Sequence, residues 1–251
     1  MKQGLVAMVT GGTRGIGRSV VRALTEAGVK TAFCSRREND VREAEAELRQ
    51  SFPESPAFGM ACDVADPGAV ARFVEAAERA LGPVDVLVNC AGIGYFGPFC
   101  ELERDQWTSI LDTNVMGTVH CCRELIPRML ARAEDGGNGG YIITIGSTSA
   151  ERYVAGNAAY AASKAAIAAL SDHLFYEYRQ KGILVTHLIA GRVNTTFSPR
   201  NVLNAEWKIS PEELGRLVSV LITYTYAVQG AVIRELDVRT RTPKAQPGEK
   251  E

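Results

Sequence analysis

The sequence predicts a single-domain α/β fold, a doubly wound parallel sheet of about seven strands with helices on both faces. Three observations predict it. Short apolar runs alternate with helical patterns along nearly the whole chain. The first run ends in a glycine-rich turn, Thr10-Gly11-Gly12-Thr13-Arg14-Gly15-Ile16-Gly17, that opens into a helix. A later run, Tyr141 to Ile145, ends at Gly146-Ser147 and precedes an alanine-rich helix that carries Tyr160 and Lys164.

The first strand is read from Leu5-Val6-Ala7-Met8-Val9, and an amphipathic helix from Ser19 to Ala27 is closed by Gly28. The second strand, Thr31 to Cys34, runs into Ser35-Arg36-Arg37 and a charged helix from Glu38 to Arg49. A third strand, Ala57 to Cys62, ends at Asp63-Val64. Asp66-Pro67 then supplies an N-cap and an N1 proline for the next helix. Val84 to Val88 is the fourth strand, ended by Asn89-Cys90-Ala91-Gly92. A long helical region spans about Asp105 to Arg132, with Asn114 near its middle between apolar neighbours, so its amide needs buried partners. Glu134 to Gly140 is a polar turn before the Tyr141 strand, and the alanine-rich helix starts near Asn157. Leu184 to Ile189 is the sixth strand. Ser210-Pro211-Glu212-Glu213 starts a helix running to about Ala227, and Ala231 to Val238 is the last strand. No linker or repeat divides residues 1–240, and residues 241–251 form a polar tail.

Composition narrows the function classes. Apolar residues make up 46% of the chain and charged residues 23%, the balance of a globular protein with a large core. With 28 basic against 29 acidic residues, nothing points to nucleic acid. No apolar run is long enough to span a bilayer, and the first strand begins too early to leave room for a signal peptide. Six cysteines without a Cys-x-x-Cys pair, and only three histidines, argue against a zinc site and for a reduced, cytoplasmic protein.

The chemistry gathers at strand ends. Ligands of open α/β sheets sit at the carboxyl ends of the strands. Glycines after the first strand let backbone approach a pyrophosphate at a helix N-terminus, where free N–H groups and the dipole favour anions. At the end of the second strand a site for an unphosphorylated ribose wants an acid, whereas this chain has Ser35 and Arg36, with Arg14 in reach. A cation with a hydroxyl suits a 2′-phosphate, and so NADP(H) over NAD(H). Tyr160 and Lys164 are four apart and share a helix face. An ammonium beside a phenol favours the phenolate, and a second positive charge would help it. Ser147 could then hold a carbonyl oxygen while Tyr160 gives or takes the proton. The same residues also suit plain structural duties: Ser147 as a turn residue, Tyr160 as packing, Lys164, Arg36 and Arg37 as solvated helix faces.

The ordered set Thr10-Gly11-x-x-x-Gly15-x-Gly17, Asp63, Asn89-x-Ala91-Gly92, Asn114, Ser147, Tyr160-x-x-x-Lys164 and Gly191-x-Val193-x-Thr195 resembles the short-chain dehydrogenase/reductase family over roughly residues 4–240. The resemblance implies a Rossmann-type fold and an NADP(H)-dependent oxidoreductase acting on a small carbonyl or alcohol. It implies Tyr160 as acid/base and Lys164 as the group that lowers its pKa and binds the nicotinamide ribose. Ser147 would hold the substrate oxygen, and Asn114 would position a water in a proton relay. Gly11, Thr13, Arg14, Gly15, Ile16 and Gly17 would line the cofactor phosphates, with Ser35 and Arg36 at the 2′-phosphate. Asp63 and Val64 would meet the adenine, Asn89, Ala91 and Gly92 the cofactor ribose region, and Val193 and Thr195 the nicotinamide amide. It also implies a homodimer or homotetramer. A cofactor-binding sensor without turnover is the competing reading, since fold alone does not make an enzyme.

Three departures from the family pattern stand out. Cys90 replaces a second Asn, and Ala190 replaces a proline before Gly191. Only fourteen residues separate Thr195 from Ser210, a short substrate cover, and the chain lacks a glycine-rich close after its last strand, which keeps a dimer open beside a tetramer. Phe96, Phe99, Tyr153, Phe197 and Trp207 are candidates for an apolar pocket wall or for plain packing.

Overall fold

A computed structural model describes residues 4–136, 139–197, 206–228 and 230–241. Its strands are β1 (Val6–Thr10), β2 (Lys30–Ser35), β3 (Ala57–Ala61), β4 (Val86–Asn89), β5 (Gly140–Ser147), β6 (Ile183–Ala190) and β7 (Glu235–Val238). All seven run parallel in one sheet ordered β3-β2-β1-β4-β5-β6-β7. The helices are α1 (Gly15–Glu26), α2 (Glu38–Ser51), α3 (Pro67–Leu81), α4 (Arg104–Ile110), α5 (Gly117–Glu134), α6 (Ala158–Tyr178) and α7 (Pro211–Ala227). The expected Rossmann-type architecture is therefore the observed one.

Alternation along buried strands feeds two cores, one per sheet face. Ala7, Val9, Phe33 and Ile143 meet Val20 and Leu24 of α1 and Val218 and Ile222 of α7. Met8, Cys34, Leu87 and Ile142 meet Phe73 of α3, Leu125 and Met129 of α5 and Phe175 of α6. α1 and α7 cross closely, because a Cβ on Gly215 would lie 2.4 Å from the Ser19 carbonyl oxygen. Cys121 and Cys122 are both buried in α5.

The caps read from the sequence are present. Asp66 accepts from the Gly68 N–H at 2.8 Å ahead of Pro67. At α7 the Ser210 hydroxyl accepts from the Glu213 N–H at 3.1 Å, and the Glu213 carboxylate accepts from the Ser210 N–H at 2.7 Å. This reciprocal box satisfies two N–H groups that the helix leaves open.

Three expectations need correction. The first helix starts at Gly15, inside the glycine turn, and not at Ser19. The last strand covers Glu235–Val238 only. Over the preceding stretch the Ile233 carbonyl accepts from the Thr186 hydroxyl. The region from Asp105 is also not one regular helix: α4 and α5 are joined by a π-helical segment, Leu111–Met116, that holds Asn114. Residues 198–205 of the segment before α7, and residues 242–251 of the polar tail, lie outside the described residues. No helix of the described residues is long and apolar enough to cross a membrane.

The chain winds outward from β1 through β2 to β3, then returns to β4 on the other side of β1. This reversal opens a crevice at the carboxyl ends of β1 and β4. The Thr10 hydroxyl spans it, accepting from the Cys90 and Ala91 N–H groups at 3.0 Å each.

Candidate active site

A cleft of about 1110 Å³ lies over these strand ends. At its floor, Gly11 and Gly15 have φ of 68° and 51°, backbone that favours glycine. A Cβ on Gly17 would lie 2.2 Å from the Gly11 carbonyl oxygen, and one on Gly11 would lie 2.9 Å from Ala91 Cα. These contacts let α1 begin directly against the sheet. Its N-cap, Arg14, makes no side-chain cap, and no acid stands in the first turn. The first-turn N–H groups therefore face the cleft without a side-chain acceptor, which fits an anion such as a dinucleotide pyrophosphate. Gly11, Thr13, Arg14, Gly15, Ile16 and Gly17 all line the cleft.

The end of β2 forms a basic corner where Ser35 and Arg36 line the cleft as expected, joined by Arg37 and Asp40. Asp40 accepts from Arg14 at 2.6 Å and from Arg37 at 3.1 Å, so one carboxylate clasps two of the three arginines. Next to this corner, Asp63 accepts from the Ala65 N–H at 3.0 Å. The Val64 carbonyl lies 3.0 Å from His120 Nδ1. Asp63, Val64, Ala91 and Gly92 line the wall. Asn89 does not; it is buried behind it, donating to Cys122 Sγ at 3.6 Å.

The reacting end is built from β5, α6 and the π-helical segment. Ser147 closes β5, and its hydroxyl accepts from the Ser149 N–H at 3.1 Å. Tyr160 and Lys164 project from α6 into the same cleft. Lys164 Nζ lies 5.7 Å from the centre of the Tyr160 ring and donates to the Ile145 carbonyl at 2.8 Å. Burial pulls the Lys164 pKa down to about 8. Burial pushes the Tyr160 phenol up to about 12, with the Ser147 hydroxyl drawing it back. In the protein by itself this phenol therefore stands above its ordinary value. Desolvation outweighs the Ser147 hydrogen bond, while the Lys164 ammonium is bonded to a strand carbonyl.

Asn114 stands behind the cleft and does not line it. It is fully buried, accepting from the Ile93 N–H at 2.8 Å. It donates to the Ile93 carbonyl at 3.0 Å and to the Ser163 hydroxyl at 2.9 Å. Its own carbonyl accepts from Thr118 Oγ1 at 3.0 Å. π-helical turns inside α-helices recur at functional sites, because the extra residue shifts carbonyls out of the regular ladder.

Val193 and Thr195 line the cleft on the β6 side. Thr195 Cγ2 would be 3.3 Å from a Cβ on Gly15, so this turn nearly closes over the glycine cradle. Of the aromatic candidates, Phe96, Phe197 and Trp207 line the cleft. The Tyr160 ring lies 5.2 Å from Phe197 and 6.0 Å from Phe96. Phe99 and Tyr153 point elsewhere, being 66% and 91% exposed.

Sequence reasoning missed several groups. Ser163 connects Asn114 to α6, donating to the Tyr160 carbonyl at 2.8 Å. Its position three residues after Tyr160 in an alanine-rich helix was the signal. Asn157 lines the cleft, and its buried Oδ1 has no hydrogen-bond partner among the described residues. Arg192 and Lys208 line it as well, and a charge set inside Gly191-Arg192-Val193 could have marked the first.

The short chain dehydrogenase family profile matches residues 5–205. A Streptomyces coelicolor protein named as a candidate ketoacyl reductase is 32% identical, over 92% of this chain and 87% of its own. A metagenomic short-chain oxidoreductase in complex with NADP superposes with a TM-score of 0.80 at 30% identity, covering 96% of this chain and 99% of that one. A variant of actinorhodin polyketide ketoreductase with NADPH gives 0.83 at 28% identity, covering 94% and 96%. The profile match over most of the length, together with a relative 32% identical over 92% of this chain, shows that this chain belongs to the short-chain dehydrogenase/reductase family of oxidoreductases.

Proposed function

We propose that the protein is an NADP(H)-dependent oxidoreductase that moves a hydride between nicotinamide and a carbonyl or secondary alcohol. One observation carries this reading: Ser147, Tyr160 and Lys164 converge on the cleft whose other end is the glycine cradle of α1. The bound nicotinamide cofactor would supply or accept the hydride. Ser147 donates to the substrate oxygen and aims it at Tyr160. Tyr160 gives the proton when a carbonyl is reduced and takes it when an alcohol is oxidised. Lys164, fixed to β5, holds the cofactor ribose and biases the phenol. Asn114 sets the backbone around Ile93 and Ser163, and through them the position of α6. The Phe96 and Phe197 rings limit water around Tyr160.

Preference for NADP(H) is supported by Ser35, Arg36, Arg14 and Arg37 around the β2 end, and by the NADP and NADPH complexes among structural relatives. Self-association as a dimer or tetramer belongs to the same proposal. Exposed Tyr176, Val220 and Tyr224 support it, and light scattering tests it.

The test of function is NADPH oxidation, followed by absorbance, across a panel of ketones and aldehydes. Tyr160→Phe should lower turnover about 10²- to 10⁴-fold while NADPH binding stays nearly intact. Tight NADPH binding without turnover on any carbonyl would favour a cofactor-binding sensor, and full activity in Tyr160→Phe would remove the assigned mechanism.

A further inference from the structure

A row of polar side chains crosses the sheet beneath α6. Asn89 on β4 pairs with Thr144 on β5, Thr144 with His187 on β6, and His187 with Glu235 on β7. Residues paired across parallel strands point to one face of the sheet. Here it is the face under α5 and α6, where Leu87, Ile142 and Val185 of the same strands pack. Ser171 stands on the buried side of α6 above it. Asn89, Thr144, His187 and Ser171 are all at most 4% exposed. Asn89 Oδ1, Thr144 Oγ1, His187 Nε2 and Ser171 Oγ have no hydrogen-bond partner among the described residues. Buried polar atoms are otherwise almost always paired, so four orphans gathered under one helix fit internal water. Neighbouring strands lie about 4.8 Å apart, a gap spanned by one water bonding at about 2.8 Å to each side.

The row reaches the reacting end of the cleft. His187 Nε2 lies 2.1 Å from where a Cβ on Gly146 would be, so a glycine at that position makes room for the imidazole. Lys164 Nζ donates to the carbonyl of Ile145, the residue between Thr144 and Gly146. Lys164 and the His187 ring therefore meet adjoining residues of β5, just ahead of Ser147. On the far side, His187 Nδ1 is 3.9 Å from Glu235 Oε2, and the Glu235 side chain is 39% exposed. Burial lowers the His187 pKa, and the charged groups around the ring are Glu235 on β7, Lys164 and Asp172 on α6, and Glu151 after β5. A carboxylate beside Nδ1 favours the tautomer with its proton there, which leaves Nε2 an acceptor facing the row. Asn114 belongs to a different network, its amide being engaged by Ile93 and Ser163.

We propose that His187 is the proton store behind Lys164: water held against Asn89, Thr144 and Ser171 carries a proton between Lys164 and His187 Nε2, and Glu235 steadies the imidazolium. This rests on reading the cleft as a reductase site. In carbonyl reduction Tyr160 gives its proton to the substrate oxygen and is left a phenolate. Lys164 makes good that proton and is left an amine. The imidazolium gives its Nε2 proton to a water of the row, which passes one to the amine. The neutral ring then regains a proton from solvent, so each turnover draws one, as reduction of a carbonyl to an alcohol requires. Alcohol oxidation runs the same transfers backwards.

The test follows NADPH-driven carbonyl reduction in His187→Gln, Glu235→Gln and Thr144→Val. Glutamine at 187 keeps hydrogen bonding and cannot store a proton. Valine at 144 keeps the side-chain shape and removes one partner of the water, and Glu235 is exposed enough for its variant to fold. His187→Gln should lower kcat about tenfold, short of the roughly 10²-fold of a direct acid, with smaller losses in the other two. The solvent deuterium isotope effect on kcat should rise in all three, while KM and NADPH affinity hold. Unchanged kcat in His187→Gln would overturn the store. So would a fall in kcat without a larger isotope effect, the mark of a structural role. Nitrogen NMR of the labelled histidines, three in the chain, reads the row without turnover. The His187 midpoint should rise in Lys164→Met and fall in Glu235→Gln, and Nε2 should exchange protons with water more slowly in Thr144→Val. If no carbonyl compound oxidises NADPH, the reductase reading fails. The NMR then still decides the row: those shifts uphold the link between Lys164 and His187, and an unmoved midpoint overturns it.

Discussion

The Lys164 ammonium is bonded to the Ile145 carbonyl at 2.8 Å, while the Tyr160 ring centre lies 5.7 Å away. The lysine therefore ties α6 to β5 before it acts on any phenol. In this arrangement the tyrosine is a neutral acid at neutral pH, pushed up to about 12 by burial. That is the form required to give a proton to a reduced carbonyl. Carbonyl reduction should be nearly flat from about pH 6 to 8, whereas alcohol oxidation, which needs the phenolate, should rise with pH. Initial rates in both directions across that range check it.

Lys164 also makes stability depend on pH. Its folded pKa of about 8 is below the ordinary lysine value of 10.5, so between these values the unfolded chain binds more protons. The cost of burying the ammonium is fully present below about pH 8 and is relieved as pH rises towards 10.5. Wild type should therefore gain stability relative to Lys164→Met over that interval. The difference between the two proteins cancels the opposing drift from the raised Cys122 thiol, and urea unfolding at several pH values measures it.

Asn114→Leu should destabilise the protein by about 2 to 4 kcal/mol, because it leaves the buried Ile93 backbone groups and the Ser163 hydroxyl without partners. Chemical denaturation reads the loss. Asn114→Asp should also destabilise, since an ionised carboxylate cannot donate to the Ile93 carbonyl or to Ser163.

The glycines separate by what surrounds them. Gly17→Ala places a methyl 2.2 Å from the Gly11 carbonyl oxygen, so it should abolish NADPH binding or folding. Gly28→Ala, at φ 79° with nothing within 4 Å, should cost only about 1 kcal/mol of backbone strain and leave binding intact. Calorimetric titration with NADPH distinguishes the two.

Asp40 clasps Arg14 and Arg37 beside the proposed 2′-phosphate position. Asp40→Asn should release both and tighten NADPH about three- to tenfold relative to NADH, while Arg36→Ala should weaken NADPH and spare NADH. Competition binding of the two cofactors provides the measure.

Local chemistry made much of this legible in advance. Strand-helix alternation determined the sheet, because apolar runs of this length have no other way to bury both faces. The Asp66 and Ser210 caps and the Gly11–Gly17 turn were legible because their partners lie within a few residues. The four-residue spacing of Tyr160 and Lys164 placed both on one helix face. Tertiary structure alone decided what lies far apart in sequence. It set Asn114 against Ile93 and Ser163, gave Lys164 to Ile145, and tied Arg14 to Asp40. It also raised the Tyr160 phenol through burial and brought Arg192 and Lys208 onto one indole. Desolvation and long-range pairing depend on how elements pack, and no spacing within a segment encodes them.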